Sequence, residues 1–118
     1  MLLGISFVSA KEIGSVAMVI NNVFTKGLNH RVEKGVILHS NEKIITGTDS
    51  AVNIKFLDGS SLLVGEESRA ILSEFNYDTV SHKVVGVFNF LTGIMRFETG
   101  SIPMVFRINT PHTEIKLK

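Results

Sequence analysis

Between Ala51 and Val64 apolar and polar residues alternate with a period of two, and an Asp-Gly pair interrupts the pattern near its middle. A strand sends successive side chains to opposite faces, so this alternation describes two half-buried strands rather than one face of a helix. Parity then sets the loop length. A two-residue loop at Asp58-Gly59 pairs Ile54 with Leu63 and sets Lys55 opposite Leu62 and Asn53 opposite Val64. A three-residue loop, Leu57-Asp58-Gly59, pairs Phe56 with Ser60, Ile54 with Leu62 and Val52 with Val64. Only the second gathers the apolar residues on one face, Leu57 and Leu63 excepted, because a slip of one residue turns every side chain over. It also puts Gly59 third, where a type I turn followed by a left-handed residue requires glycine. Asp58 is then a turn former whose carboxylate accepts backbone N–H groups at a solvated hairpin end.

The rest of the chain keeps the same period. In "SVAMVINNVF", Val16, Met18 and Ile20 share one face with Ala17 and Val19 opposite, which predicts a strand buried on both sides. "KGLN", Lys26 to Asn29, breaks it with turn chemistry. Two short strands are expected around Ser40-Asn41-Glu42-Lys43, the second ended by Gly47. Further strands are expected at Ala70–Phe75, Lys83–Phe90, Ile94–Phe97, Val105–Asn109 and Thr113–Leu117. "GEESRAILSEF" comes nearest to a helical pattern, yet Ala70, Leu72 and Ser73 suit a strand leaving a charged turn equally well. Turns at this spacing predict an all-β sandwich or barrel, with Phe88 and Phe90 in its core.

A chain of 118 residues, 44% of them hydrophobic, makes one domain able to bury a core without staples. It has no cysteine, which excludes disulfides, thiolate metal sites and a Cys nucleophile. A formal net charge of +1, with dispersed basic residues, one tyrosine and no tryptophan, argues against nucleic acid as partner. No stretch approaches the ~20 apolar residues of a membrane span. The first ten residues, "MLLGISFVSA", carry no charge and end in Val-Ser-Ala before Lys11-Glu12. They read as the end of a secretory leader cleaved after Ala10, or as a first strand. The expected division is a leader remnant over 1–10 and a β domain over 11–118.

Catalytic and metal chemistry find little support. Asp58, Glu66 and Glu67 do not reproduce the spacing of a calcium loop, and His30, His39, His82 and His112 are scattered without ligand spacing. No serine sits in Gly-x-Ser-x-Gly, and no Walker A loop is present. The expectation is a protein without enzymatic activity, metal or cofactor. A small β hydrolase would need a concave pocket with convergent polar groups.

The C-terminal half, "FNFLTGIMRFETGSIPMVFRINTPHTEI", resembles the FecR-like domain, named for the iron-dicitrate transport regulator. The resemblance runs through Leu91, Gly93, Arg96-Phe97, Thr99-Gly100 and Ile108-Asn109-Thr110-Pro111. Upstream, Ile44, Thr46-Gly47, Phe56, Asp58-Gly59-Ser60 and Leu62 match the family's other blocks in order, and Gly14-x-Val16 looks like its opening strand. The resemblance implies an exported antiparallel β-sandwich of jelly-roll type, lying in the periplasm and receiving a signal from another envelope protein. A cell-envelope module contacting peptidoglycan or another polysaccharide is the alternative. Asp58, Gly59, Gly93, Arg96, Thr110 and Pro111 are expected to serve the fold, Gly93 at a tight bend and Arg96 by pinning a neighbouring loop. The family usually continues to a Gly-Thr pair that "EIKLK" does not reach, so both ends look clipped. That predicts an unpaired sheet edge near Thr113 to Lys118, partly guarded by its lysines.

Overall fold

Alternation with period two becomes strands in two facing sheets. A computed structural model describes residues 11–25, 30–78, 80–81, 83–100, 104–109 and 115–117. In chain order the strands are β1 (Glu12–Ile20), β2 (Val23–Thr25), β3 (His30–Arg31), β4 (Ile37–His39), β5 (Glu42–Thr46) and β6 (Ala51–Phe56). They continue as β7 (Ser61–Val64), β8 (Arg69–Asp78), β9 (Lys83–Thr92), β10 (Met95–Glu98), β11 (Met104–Asn109) and β12 (Ile115–Leu117). One sheet has the order β12-β10-β7-β6-β1-β4, the other β11-β9-β8-β5-β2-β3. The chain is all-β, and no helix interrupts the described residues. Met1–Ala10, read as a leader or first strand, and the Lys26–Asn29 turn lie outside the described residues.

The hairpin joining β6 to β7 has the three-residue loop. Val52 pairs with Val64, Asn53 with Leu63 and Ile54 with Leu62. Phe56 donates its N–H to the Ser60 carbonyl at 2.9 Å, and Gly59 has a φ of 92°. Val52, Ile54, Phe56, Leu62 and Val64 are all buried.

The same side chains meet those of the other sheet in the core. Phe56 stacks on Phe75 of β8 at 4.9 Å between ring centroids and on Phe88 of β9 at 5.2 Å. Phe97 of β10 leans on both Phe56 and Phe88. Two strands of each sheet thus contribute to one aromatic cluster, and such pairs add to the stabilisation from buried area. Ile13, Leu38, Ile44, Leu72 and Phe90 extend the core on either side of it.

Two expectations need correction. β1 is not buried on both faces, because Met18 and Ile20 are nearly half exposed. Its register with β6 shifts between Val16, opposite Ile54, and Met18, opposite Asn53. The bulge at Ala17 reverses the parity, so that Val19 turns towards the core and Met18 away from it. The two short strands expected around Ser40–Lys43 are present as β4 and β5, and they belong to different sheets. Second, the sandwich is not wholly antiparallel. β9 pairs with β11 and β10 with β12 in parallel.

Those two parallel pairs share one offset. Val84 faces Met104 and Asn89 faces Asn109, while Met95 faces Ile115 and Phe97 faces Leu117, each partner 20 positions further on. The chain crosses from one sheet to the other at β9–β10, returns, and repeats the path one strand further out at β11–β12. The C-terminal part of the sandwich is one turn of a two-layered β coil.

Candidate interaction surface

The strands change sheet at corners stacked along one end of the sandwich: Asn21-Asn22, Gly47–Ser50, Gly65–Ser68 and Gly93-Ile94. Hydrogen bonds run from each corner to the next. Gly47 donates to the Asn22 carbonyl at 3.0 Å, and Glu67 donates to the Gly47 carbonyl at 2.9 Å. Gly65 donates to the Ile94 carbonyl at 2.8 Å. Buried hydroxyls complete the set. Thr46 Oγ1 accepts the Ser68 N–H at 2.8 Å and donates to the Gly65 carbonyl at 2.6 Å. Ser50 Oγ accepts the Asn22 N–H at 2.9 Å. Corners cannot form ladder bonds, so these side chains satisfy backbone groups that burial would leave unpaired.

Gly93 lies in this ladder with a φ of 108°, and a Cβ there would strike the Ser68 side chain. At the opposite end, Asp58 Oδ1 accepts the Ser60 N–H at 3.0 Å and the Ser60 hydroxyl at 2.6 Å. The hairpin end is not solvated as expected. Asp58 is 7% exposed and Ser60 fully buried, because Gly100 packs over the turn. A Cβ on Gly100 would lie 2.6 Å from the Asp58 carbonyl oxygen. Asp58 Oδ2 is buried without a hydrogen-bond partner among the described residues.

Arg96 lies within β10. It sits exposed on the outer face of β10, in register with Leu63 on one side and Lys116 on the other. Thr110 and Pro111 fall between β11 and β12, outside the described residues. The predicted residues are therefore not one constellation. Asp58 and Gly59 occupy one end, Gly93 the other, and Arg96 an outer face.

Two concavities lie on the described surface, outside the packed interior. The space between the sheets is filled by phenylalanine rings. One hollow of about 280 Å³ lies over Thr46–Thr48 and Glu67–Arg69, and another of about 520 Å³ lies between β1 and the Arg31–Lys34 segment. Both open to solvent. No group of three or more His, Asp or Glu converges on a metal-sized space among the described residues. His39 Nδ1 lies 3.8 Å from Glu42 Oε1, an isolated pair.

The β11–β12 edge is the outermost of the described strands at one end of both sheets, and each has one partner strand among the described residues. On the outer face beside it, amides form a row. Asn89 Nδ2 donates to Ser73 Oγ, and Asn109 Nδ2 donates to Asn89 Oδ1 at 3.1 Å. Each of these amides gives its proton towards β8, and the Asn89 oxygen accepts from Asn109 on the next strand. At the 20-residue offset "VVGVFN" (84–89) and "MVFRIN" (104–109) share only Val85/Val105 and Asn89/Asn109, and "MRF" (95–97) and "IKL" (115–117) share no residue.

With this geometry in place, comparison with known proteins is informative. The family model described as "FecR protein" matches residues 42–118, from β5 to β12. Gly14 and Val16, read as the family's opening strand, precede the matched range. The family is a signalling and regulatory one whose members interact with other proteins, and its domain is typically periplasmic. Among the described residues no helix is long and apolar enough to cross a membrane. Nothing matches among curated proteins or among solved structures. The match takes in nearly two thirds of the sequence and every strand from the middle of both sheets to the β11–β12 edge: the chain belongs to the FecR family.

Proposed function

We propose that the protein is a non-enzymatic, exported FecR module that binds another envelope protein and takes part in signal transduction. In this reading Met1–Ala10 is a leader and 11–118 the working domain, a sandwich of jelly-roll type in the periplasm. The observation that carries the reading is the extent of the family match. It covers β5 to β12, the strands that build most of both sheets, and so corresponds to a folded regulatory domain rather than a short motif. The interior packed with phenylalanine supports binding over catalysis, since it leaves the outer faces and edges for recognition. Asp58, Gly59, Gly93, Thr110 and Pro111 are assigned to the fold, and Arg96 to the surface.

Capture from solubilised cell envelope tests this directly. The folded chain is compared with a Leu72→Asp variant, which places a charge at a fully buried core position. The expected result is a membrane or periplasmic protein retained by the folded chain alone. Retention on wall polysaccharide without any protein would refute it.

A further inference from the structure

We infer that the outer face of the second sheet, over β3, β2, β5 and the start of β8, docks an acidic segment of another envelope protein whose aliphatic side chains pack on Phe24, Ile45 and Ile71. The inference rests on the interaction reading above and gives that reading a surface and a partner chemistry. Register, charge and the Phe24 ring lead to it.

Register places the residues. Arg31 faces Phe24, Phe24 faces Ile45, and Ile45 faces Arg69, so one row crosses four strands. One step along, Thr25, Ile44 and Ala70 form the next row and are buried. Successive residues of a strand point to opposite faces, so the first row points outward. Lys43 faces Ile71 in the row beyond, on the same outer side. Adjacent strands lie ~4.8 Å apart, which sets Arg31 and Arg69 roughly 14 Å from each other with Phe24 and Ile45 between them. All six residues are exposed or half-buried.

Charge selects the partner. Arg31 donates to Asn22 Oδ1 at 3.0 Å and to the Asn21 carbonyl at 3.2 Å, both neutral acceptors. Among the described residues the side chains of Lys43 and Arg69 have no hydrogen bond and no ion pair. Of the neighbouring carboxylates, Glu42 lies against His39 and Glu66 accepts the Asp49 N–H, while Glu67 stands at the margin and lines the hollow beside Arg69. Further along β8 the charges are mixed, with Glu74 in the same row as Arg107 and Asp78 facing Lys83. The half of the face over β3, β2 and β5 is therefore the cationic one. Complementary charge across an interface steers encounter and suppresses wrong partners. An acidic segment fits this half, and a second copy presenting the same three cations does not.

The Phe24 ring favours a protein over a polysaccharide. The Arg31 guanidinium lies 6.0 Å from the ring centroid, a cation–π contact that covers the ring face on which a sugar would stack. Half-buried aliphatic side chains flanked by cations match the apolar centre and polar rim of a protein interface instead. The hollow of about 280 Å³ beside Arg69 gives a docked side chain a place to enter.

The test uses the whole chain and a labelled peptide of alternating glutamate and leucine, with a lysine–leucine peptide, a glutamate–serine peptide and inorganic polyphosphate as comparisons. The glutamate–leucine peptide is expected to bind roughly tenfold more tightly than each of the others. Binding should shift the amide resonances of Phe24, Lys43, Ile45, Arg69 and Ile71. A Lys43→Glu/Arg69→Glu protein, first shown to melt like the parent, should lose about tenfold in affinity, and the neutral Lys43→Gln/Arg69→Gln protein part of that. Lys55→Glu, an exposed change on the outer face of the other sheet, should lose none. Equal affinity for any comparison ligand, no binding of the glutamate–leucine peptide, shifts confined to the Lys55 face, or undiminished affinity in the charge-reversed protein would each overturn the inference. Envelope capture separates this from the broader reading. One protein held equally by the parent and the charge-reversed variant would keep the interaction module and remove this face from it.

Discussion

The Ser68 hydroxyl accepts the Ile94 N–H at 3.0 Å while donating to the Glu66 carbonyl at 2.9 Å, and so ties two corners that are 26 residues apart. Ser68 is fully buried. Replacing it by alanine leaves the part-buried Ile94 N–H and Glu66 carbonyl without this partner. Ser68→Ala should cost about 1–3 kcal/mol. A domain of this size should then melt roughly 4–8 °C lower per kcal/mol. Ser81→Ala, at an exposed turn, should melt as the parent does. Thermal unfolding followed by circular dichroism separates the two.

Gly93 and Gly59 both have positive φ, yet they should tolerate substitution differently. A Cβ at Gly59 meets nothing within 4 Å, so Gly59→Ala carries only the conformational penalty of roughly 1–2 kcal/mol. At Gly93 the same atom overlaps Ser68, which adds overpacking of about 1–3 kcal/mol. Denaturant titration should rank Gly93→Ala well below Gly59→Ala.

The aromatic cluster gives the largest expected loss. Phe88 is 1% exposed and touches both Phe56 and Phe97. Phe88→Ala should destabilise by about 3–5 kcal/mol. Leu57→Ala, at a half-exposed hairpin position, should stay within about 0.5 kcal/mol of the parent. Chemical denaturation with the slope held in common checks both.

Asp58 offers a finer distinction. Its Oδ1 holds the buried Ser60 N–H and hydroxyl, while Oδ2 has no described partner. Asp58→Ala removes the acceptor and should cost about 1.5–3 kcal/mol. Asp58→Asn keeps an oxygen at the Oδ1 position and relieves a buried carboxylate of its charge. It should remain close to the parent in melting temperature, well above the alanine variant.

How much of this was legible in the sequence depends on which interactions are local. The register of β6 with β7 follows from parity and one glycine, because a three-residue loop ties it to adjacent residues. The parity of β1 was misread for the same reason. The Ala17 bulge changes no residue type, and only pairing with β6, far along the chain, creates it. Asp58 was recognised as a turn former, but its burial comes from Gly100, more than forty positions away, and hairpin chemistry is blind to that cover. The parallel pairing of β9 with β11 left only two identities at its 20-residue offset, Val85 with Val105 and Asn89 with Asn109, and a period-two reading compares neighbours. Arg96 was recognised by motif alone, and a motif does not say on which side of a sheet a side chain emerges.

The most direct test of the account is envelope capture with two baits in parallel, the parent chain and the Leu72→Asp variant, which places a charge at a fully buried core position. The account predicts one envelope protein held by the parent and lost from the variant, because recognition requires the folded sandwich. The same protein held equally by both baits, or no protein held by either, would contradict the interaction module.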